Sequence, residues 1–125
     1  MPFTVTQPLG RPPTFPELQA LAGQYDVQII GGGQAGEFCH PDAEQPKAKG
    51  NYAFEPNGDI RGNFTVRVKG LRPHAAGLGK LTGSFVFMTG KAEVTITEKP
   101  FLLPEAVLKS KLSEALKEFC AKFPT

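Results

Sequence analysis

Residues 52–69 read YAFEPNGDIRGNFTVRVK and carry the clearest hairpin signal in the chain. An Asn57-Gly58 pair that follows a short strand-like segment is a strong signal for a tight turn between two antiparallel strands. On the return, apolar side chains or glycine occupy every second position from Ile60 to Val68, with polar side chains between them. This period of two is typical of an antiparallel strand with one face on a core and the other in water.

A second hairpin follows the first along the chain. Residues Leu81–Met88 and Ala92–Thr97 are both rich in apolar and β-branched side chains, and Thr89-Gly90-Lys91 separates them. A glycine in a three-residue connection is typical of a hairpin loop. The C-terminal half of the sheet is therefore predicted to be a meander.

Upstream of the first hairpin the strand signals are weaker. Alternation in 25–29 predicts a half-buried strand with Tyr25, Val27 and Ile29 on the core side, and residues 38 and 39 can begin another short strand. The proline-rich segment 1–13 excludes a helix and leaves room for an edge strand at 3–6.

Two helices are predicted, one on each side of this sheet region in sequence. Thr14 as N-cap, Pro16 in the first turn and Glu17 three residues after the cap form a helix start, and Gly23 is expected just past its end. After Pro104 a longer amphipathic helix is predicted from apolar residues at helical spacing: Val107, Leu108, Leu112, Ala115, Leu116, Phe119 and Phe123.

These patterns together predict an α+β fold in a single domain spanning 1–125. We expect an antiparallel meandering sheet of about five to six strands. The short N-terminal helix and the long C-terminal helix should pack on one face of that sheet.

Composition narrows the class of protein. The chain has 125 residues, of which 40% are hydrophobic and 21% charged, values that are ordinary for a globular domain. A net charge of +2 is too small to indicate a nucleic-acid partner, and no apolar run approaches the length of a membrane span. The N-terminus has no secretory pattern, and two cysteines do not form a disulfide framework. A cytoplasmic location is therefore expected.

The glycines of YDVQIIGGGQAG, residues 25–36, invite a different interpretation. Gly31, Gly33 and Gly36 have the spacing of a dinucleotide-binding fingerprint, which would make the protein a flavin-binding oxidoreductase. That fingerprint needs a helix starting at the glycines, and Pro41 and Pro46 follow too soon for one. We expect instead a glycine turn between two antiparallel strands, and no cofactor.

Catalytic and metal-binding patterns are sparse. The two cysteines and two histidines, at 39, 120, 40 and 74, match no zinc spacing. A nucleophile–base pair of Cys39 and His74 is the remaining enzyme hypothesis, although nothing in the sequence supplies a third, orienting group. The protein is expected not to be an enzyme.

The surplus of phenylalanine beside an acid-free basic segment suggests binding instead. The chain has ten Phe, and residues 60–92 contain no Asp or Glu. We expect a non-enzymatic module that binds an apolar or lipid-like ligand in a groove between helix and sheet, with the basic loop 69–80 as polar rim. A homodimer or a partner docked on the sheet is the alternative. The candidate ligand-binding residues are Phe64, Phe85, Phe87, Phe101, Phe119, Arg67, Lys69, Arg72, His74 and Lys80.

The C-terminal half also resembles a known family. The segments that carry the likeness are 79–85 (GKLTGSF), 94–96 (VTI), 99–103 (KPFLL), Leu108 and Leu116, about 40 residues in all. They are similar to the small polyhydroxyalkanoic acid system proteins, which run from a glycine-containing strand through a second strand and an apolar connector into a closing helix. The resemblance implies an accessory role on granules and carries over no catalytic residue.

Overall fold

A computed structural model describes residues 2–40, 48–68, 79–99 and 104–124, with side chains undescribed for Arg67, Val68 and Gly79. The chain folds as one antiparallel sheet with two helices, which confirms the α+β prediction. In chain order the elements are β1 (Phe3–Gln7), α1 (Phe15–Gln24), β2 (Gln28–Gly31), β3 (Ala35–His40), β4 (Ala48–Phe54), β5 (Ile60–Val68), β6 (Gly79–Met88), β7 (Lys91–Glu98) and α2 (Glu105–Ala121).

The sheet has seven strands in the order β1-β7-β6-β5-β4-β3-β2, every neighbouring pair antiparallel. The prediction of five to six strands was slightly low. Strand β3 (AGEFCH) and the first half of β4 (AKGN) contain glycine and charged residues at positions where a half-buried strand usually has apolar ones. Their strand signal is therefore weak. The edge strand expected near the N-terminus is confirmed, because β1 pairs with β7 through Phe3 opposite Ile96.

Both predicted hairpins are confirmed. At the first, the Glu55 amide donates to the Asp59 carbonyl at 2.8 Å and the Gly58 amide donates to the Glu55 carbonyl at 2.9 Å. Gly58 and Gly90 have φ of 95° and 93°, a conformation that favours glycine and fixes one glycine in each turn.

Helix α1 begins as predicted and ends later. Thr14 is the N-cap and forms a capping box with Glu17, but the helix continues through Gly23 to Gln24. Tyr25 is the C-cap and is 60% exposed, so its placement on the core face of a strand was wrong. Asp26, at φ 56°, turns the chain before β2 begins at Gln28. The alternation of 25–29 therefore covers a helix end and a turn as well as a strand.

The core lies between α2 and the side of the sheet that carries both helices, here called the inner face. Its buried members come from β1, β6, β7, α2 and the flanking segments: Phe3, Val5, Leu9, Leu81, Ala92, Ile96, Leu108, Leu116, Cys120 and Phe123. By contrast, α1 contributes no buried residue. The fold is thus a small single domain in which α2 supplies buried core residues, whereas α1 contacts the core only through the partly buried Leu21 among the described residues. Across the described ranges, neither helix is long and apolar enough to cross a membrane.

Candidate functional site

A cavity of about 500 Å³ lies between α1, α2 and the inner face. It is lined by residues of both helices and of the central and β2-side strands: Leu18, Leu21, Ala22, Tyr25, Val27, Ile29, Phe38, Tyr52, Ile60, Phe85, Phe87, Ala115, Glu118, Phe119 and Lys122. This volume falls within the usual range for small-molecule sites, and so does the predominance of apolar and aromatic walls.

The floor of the cavity is formed by aromatic rings that lie flat over glycines of the neighbouring strands. A Cβ built on Gly50 would overlap Cζ of Phe38, and one built on Gly62 would overlap Cζ of Phe85. Each ring therefore takes the space that a side chain would need on the next strand. Because the rings lie across the sheet, room remains above them for a ligand.

An aromatic row connects this floor to α2. Ring centroids are 6.2 Å apart for Phe38 and Phe85, 5.1 Å for Phe85 and Phe87, and 4.7 Å for Phe87 and Phe119. Such pairs stabilise each other by about 0.5–1.5 kcal/mol beyond their buried area. The wall nearest the core is therefore held firmly by its own packing.

The opposite wall, α1, is fixed mainly at its N-terminus. Arg11 donates two hydrogen bonds to the Glu17 carboxylate, at 2.7 and 2.8 Å, and the Thr14 amide donates to Glu17 Oε1 at 3.0 Å. The Arg11 hydrogen bond, followed by that of Thr14, lowers the pKa of Glu17 to about 2. The apolar stripe of α1, which holds Leu18 and Leu21, faces the cavity.

Among the described lining residues, the charged ones are Glu118 on α2 and Lys122 at its C-cap, one helical turn apart. The Lys122 Nζ atom lies 5.5 Å from the centroid of the Tyr25 ring, so this contact joins the end of α1 to the end of α2. Both residues are exposed, as is Tyr25. We call these three residues the mouth of the cavity.

The glycine-rich segment is a structural turn, as predicted. Gly31 pairs with Gly36 across the β2–β3 hairpin, and the chain enters a strand at Ala35. The Tyr52 hydroxyl donates to the Gly32 carbonyl at 2.9 Å. A Cβ on Gly36 would lie 2.6 Å from that hydroxyl oxygen. Burial of the ring raises the pKa of Tyr52.

The helix that a dinucleotide fingerprint requires is not present at these glycines. Strand β3 occupies the place where the helix should begin, so no helix N-terminus faces a phosphate there. Glu55, which has the spacing of a ribose-binding acid, forms an ion pair with Arg61 across the first hairpin turn. The spacing of the glycines therefore serves the turn and its contact with Tyr52.

The structure places the ten predicted site residues unevenly. Phe85, Phe87 and Phe119 line the cavity. Phe64 lies on the inner face outside the lining, with its Cζ 2.8 Å from where a Cβ on Gly83 would stand. Lys80 is exposed on the other side of the sheet. The predictions for Phe101, Lys69, Arg72, His74 and the Arg67 side chain fall outside the described residues.

Sequence reasoning missed most of the cavity wall. The core-side residues of the 25–29 alternation were assigned to packing, and the apolar residues of α1 were not taken as part of a site. Tyr52 and Phe38 also lie on the inner face because their strands pair in register with β5 and β4. The helical spacing of Leu18, Leu21 and Ala22 was the available signal.

The two thiols lie on opposite sides of the sheet. Cys39 is on the outer face, with its Sγ 4.0 Å from the Gln28 amide oxygen, while Cys120 is buried on α2 against the inner face. Burial raises the pKa of the Cys120 thiol. A disulfide between them is excluded by this placement. Within the described ranges, no cluster of three or more His, Cys, Asp or Glu could hold a metal ion.

A second depression, of about 440 Å³, lies on the outer face across β2 to β5. Its walls are as polar as they are apolar, and its amides already bond one another, since Asn51 Oδ1 accepts from the Asn63 amide at 3.1 Å. The cavity on the inner face is the stronger candidate because its walls are predominantly apolar and aromatic.

The chain matches no protein-family model, no curated protein and no solved structure. The cavity and its walls are therefore the features that indicate the class of protein.

Proposed function

We propose that the protein is a non-enzymatic binding module that takes up one apolar or lipid-like small molecule between its helices and its sheet. The observation that carries the proposal is the cavity of about 500 Å³, in which Glu118 and Lys122 are the only charged residues of the described lining. Water in such a space has few hydrogen-bond partners, so its replacement by an apolar molecule is favourable.

The size of the cavity limits the ligand. At about 30 Å³ per water-sized group in a liquid, 500 Å³ holds roughly 17 non-hydrogen atoms. A single chain of about twelve carbons fits, whereas a two-chain phospholipid cannot be enclosed. Burying twelve methylenes at about 0.8 kcal/mol each gives roughly 10 kcal/mol before the cost of association. Net affinities in the micromolar range are therefore reasonable.

The test is a titration with the environment-sensitive dye N-phenyl-1-naphthylamine, whose size matches the cavity. Ala115→Phe fills the cavity from α2 and should weaken dye binding at least about tenfold. Ala121→Phe places the same ring on an exposed part of α2 outside the lining, and is the matched control. Native mass spectrometry of protein from its own host should show a bound molecule of similar size.

Two results would count against this function. One is the absence of both dye binding and a co-purified molecule. The other is an equal loss of dye binding in Ala115→Phe and Ala121→Phe, because this would show that the dye binds the surface of α2 and not the cavity.

An interaction role is a second proposal, supported by the exposed sheet edge at β2. Ile30 is 61% exposed on that edge strand, which pairs with β3 alone among the described strands. Unpaired strand edges and exposed apolar side chains are common docking elements. Light scattering over a wide concentration range tests a homodimer, and Ile30→Lys should return any dimer to a monomer. The granule-associated role implied by the C-terminal resemblance would use the same apolar affinity toward a surface.

The proposed location is the cytoplasm. Cys39 and Cys120 are both free thiols held apart by the sheet, as suits a reducing compartment.

A further inference from the structure

Among the described residues, the side chains inside the cavity offer a ligand no free hydrogen-bond donor and no charged partner. The described residues include no buried polar or charged side chain, and the Tyr52 hydroxyl proton is already given to the Gly32 carbonyl. A polar group placed among Phe38, Ile60 and Phe85 would lose its hydrogen bonds to water without replacement. Any polar part of the ligand must therefore lie at the mouth, and the apolar part inside.

The mouth carries two side chains of opposite charge, Glu118 and Lys122, that form no ion pair with each other. The ion pairs among the described residues are Arg11–Glu17, Arg61–Glu55 and Lys91–Glu93, so neither Glu118 nor Lys122 belongs to one. Residues spaced i, i+4 lie on the same side of a helix, with Cβ atoms about 6 Å apart. A small head group between them would meet a hydrogen-bond acceptor on one side and a donor on the other.

The balance of charge disfavours an ionised head group of either sign. A carboxylate attracted by Lys122 would be repelled by Glu118 and by the carbonyl end of α2, which closes at Ala121. An ammonium would be attracted by Glu118 and by the carbonyl end of α2, but it would be repelled by Lys122 and would have to displace Lys122 from the face of the Tyr25 ring. An uncharged group that both donates and accepts meets neither repulsion.

We infer that the ligand is an uncharged single-chain amphiphile, whose head group both donates and accepts a hydrogen bond and sits between Glu118 and Lys122. This inference rests on the proposed function. An alcohol, a primary amide or a glycerol monoester on a chain of about ten to twelve carbons has this chemistry and this size. Glu118 accepts from the head group, Lys122 donates to it, and the chain extends over the rings that cover Gly50 and Gly62.

The experiment compares three probes that share one chain and differ only in head group. Dodecanol, dodecanoate and dodecylammonium each displace N-phenyl-1-naphthylamine from the full chain at pH 7 and low salt. Dodecanol should bind most tightly, and each charged probe should bind about two- to fivefold more weakly, which is the usual scale for exposed charges. Exposure of the mouth keeps the effect this small.

Two variants sharpen the comparison. Glu118→Gln should raise the affinity for dodecanoate relative to dodecanol by about two- to fivefold. Lys122→Gln should likewise raise the affinity for dodecylammonium relative to dodecanol by about two- to fivefold. Glu114→Gln and Lys117→Gln, exposed on α2 outside the lining, are the matched controls and should leave both ratios in place.

The possible outcomes separate the inference from the function beneath it. If the dye binds and the three probes displace it with equal affinity, the inference is overturned and the apolar site still stands. Tightest binding of dodecanoate, lost in Lys122→Gln, overturns it in favour of an anionic ligand, and tightest binding of dodecylammonium does so in favour of a cationic one. Failure of the dye and of every probe to bind rejects the proposed function itself.

Discussion

Replacing Gly36 with alanine tests whether the glycine turn exists to make room for Tyr52. A Cβ at Gly36 would lie 2.6 Å from the Tyr52 hydroxyl oxygen, 2.5 Å from the Ile30 carbonyl oxygen and 2.9 Å from the Gly31 Cα. Ordinary contact begins at 3.4 Å, so the hydroxyl must move by about 0.8 Å. That displacement breaks its hydrogen bond to the Gly32 carbonyl or shifts β4 against β3.

The magnitude follows from these contacts. Overpacking destabilises the folded protein by about 1–3 kcal/mol. Replacing glycine restricts the unfolded chain and stabilises the protein by about 0.4–1 kcal/mol, so Gly36→Ala should lower the free energy of unfolding by about 1–2 kcal/mol. Tyr52→Phe removes one hydrogen bond and should lose about 1 kcal/mol. In the double variant the crowding hydroxyl is gone while the Ile30 carbonyl remains. The combined loss should therefore fall short of the sum by about 1 kcal/mol.

The assay is urea unfolding of the native protein, both single variants and the double variant, with Gly32→Ala as control. A Cβ at Gly32 meets nothing within 4 Å, so this control should stay within about 0.5 kcal/mol of the native protein. If the loss of unfolding free energy in the double variant equals the sum of the two single losses to within about 0.3 kcal/mol, Gly36 does not make room for the hydroxyl. A phosphate-binding role for the glycines gives no reason for coupling to Tyr52, so the cycle also separates the two explanations.

Three further predictions concern other parts of the fold. The depressed pKa of Glu17, about 2 against an ordinary 4.5, means that its contribution to α1 is complete above about pH 4.5 and is lost as the pH falls toward 2. The amide protection factors of α1, which compare observed with intrinsic exchange at each pH, should therefore fall over that window, and Glu17→Gln should remove the dependence. Ile96→Ala, at a core position 1% exposed, should cost about 2–5 kcal/mol in urea unfolding, whereas Val107→Ala, 45% exposed, should cost less than about 1 kcal/mol; equal losses would contradict the assigned core. Gly23→Ala lies inside α1 with open space around its Cβ and should stabilise that helix by about 0.5–1 kcal/mol, measured as slower amide exchange, while faster exchange would refute the helical assignment at this position.

Local signals predicted those parts of the fold that depend on local chemistry. The capping box of Thr14 and Glu17 and the glycines at 58 and 90 fix their own backbone, so the helix start and both hairpin turns could be placed from sequence. The end of α1 could not, because a glycine near a helix end permits termination without requiring it, and here the helix passes through Gly23.

The candidate site was harder to predict because its shape depends on register. Phe85 lies over Gly62 only because β5 and β6 pair with those two residues opposite each other, a relation between separate strands. A count of phenylalanines indicates an aromatic interior, and it does not say whether the rings stand upright and fill it or lie across glycines and leave space. The apolar stripe of α1 was likewise visible in the sequence, but the sequence did not show that this stripe borders a cavity as well as the core.

The pairing of β1 with β7 sets a schedule for the synthesis of this protein. Ile96 follows its partner Phe3 by 93 positions, so β1 leaves the ribosome first and has no strand to join until nearly all of the sheet has been made. At about 5–20 residues per second this wait lasts roughly 5 to 20 seconds. During that time the side chains of Phe3 and Val5, which are buried in the finished protein, stay accessible to chaperones and to other nascent chains. Closing the sheet with its first strand is therefore expected to be the last step of folding, and the one most sensitive to the speed of translation.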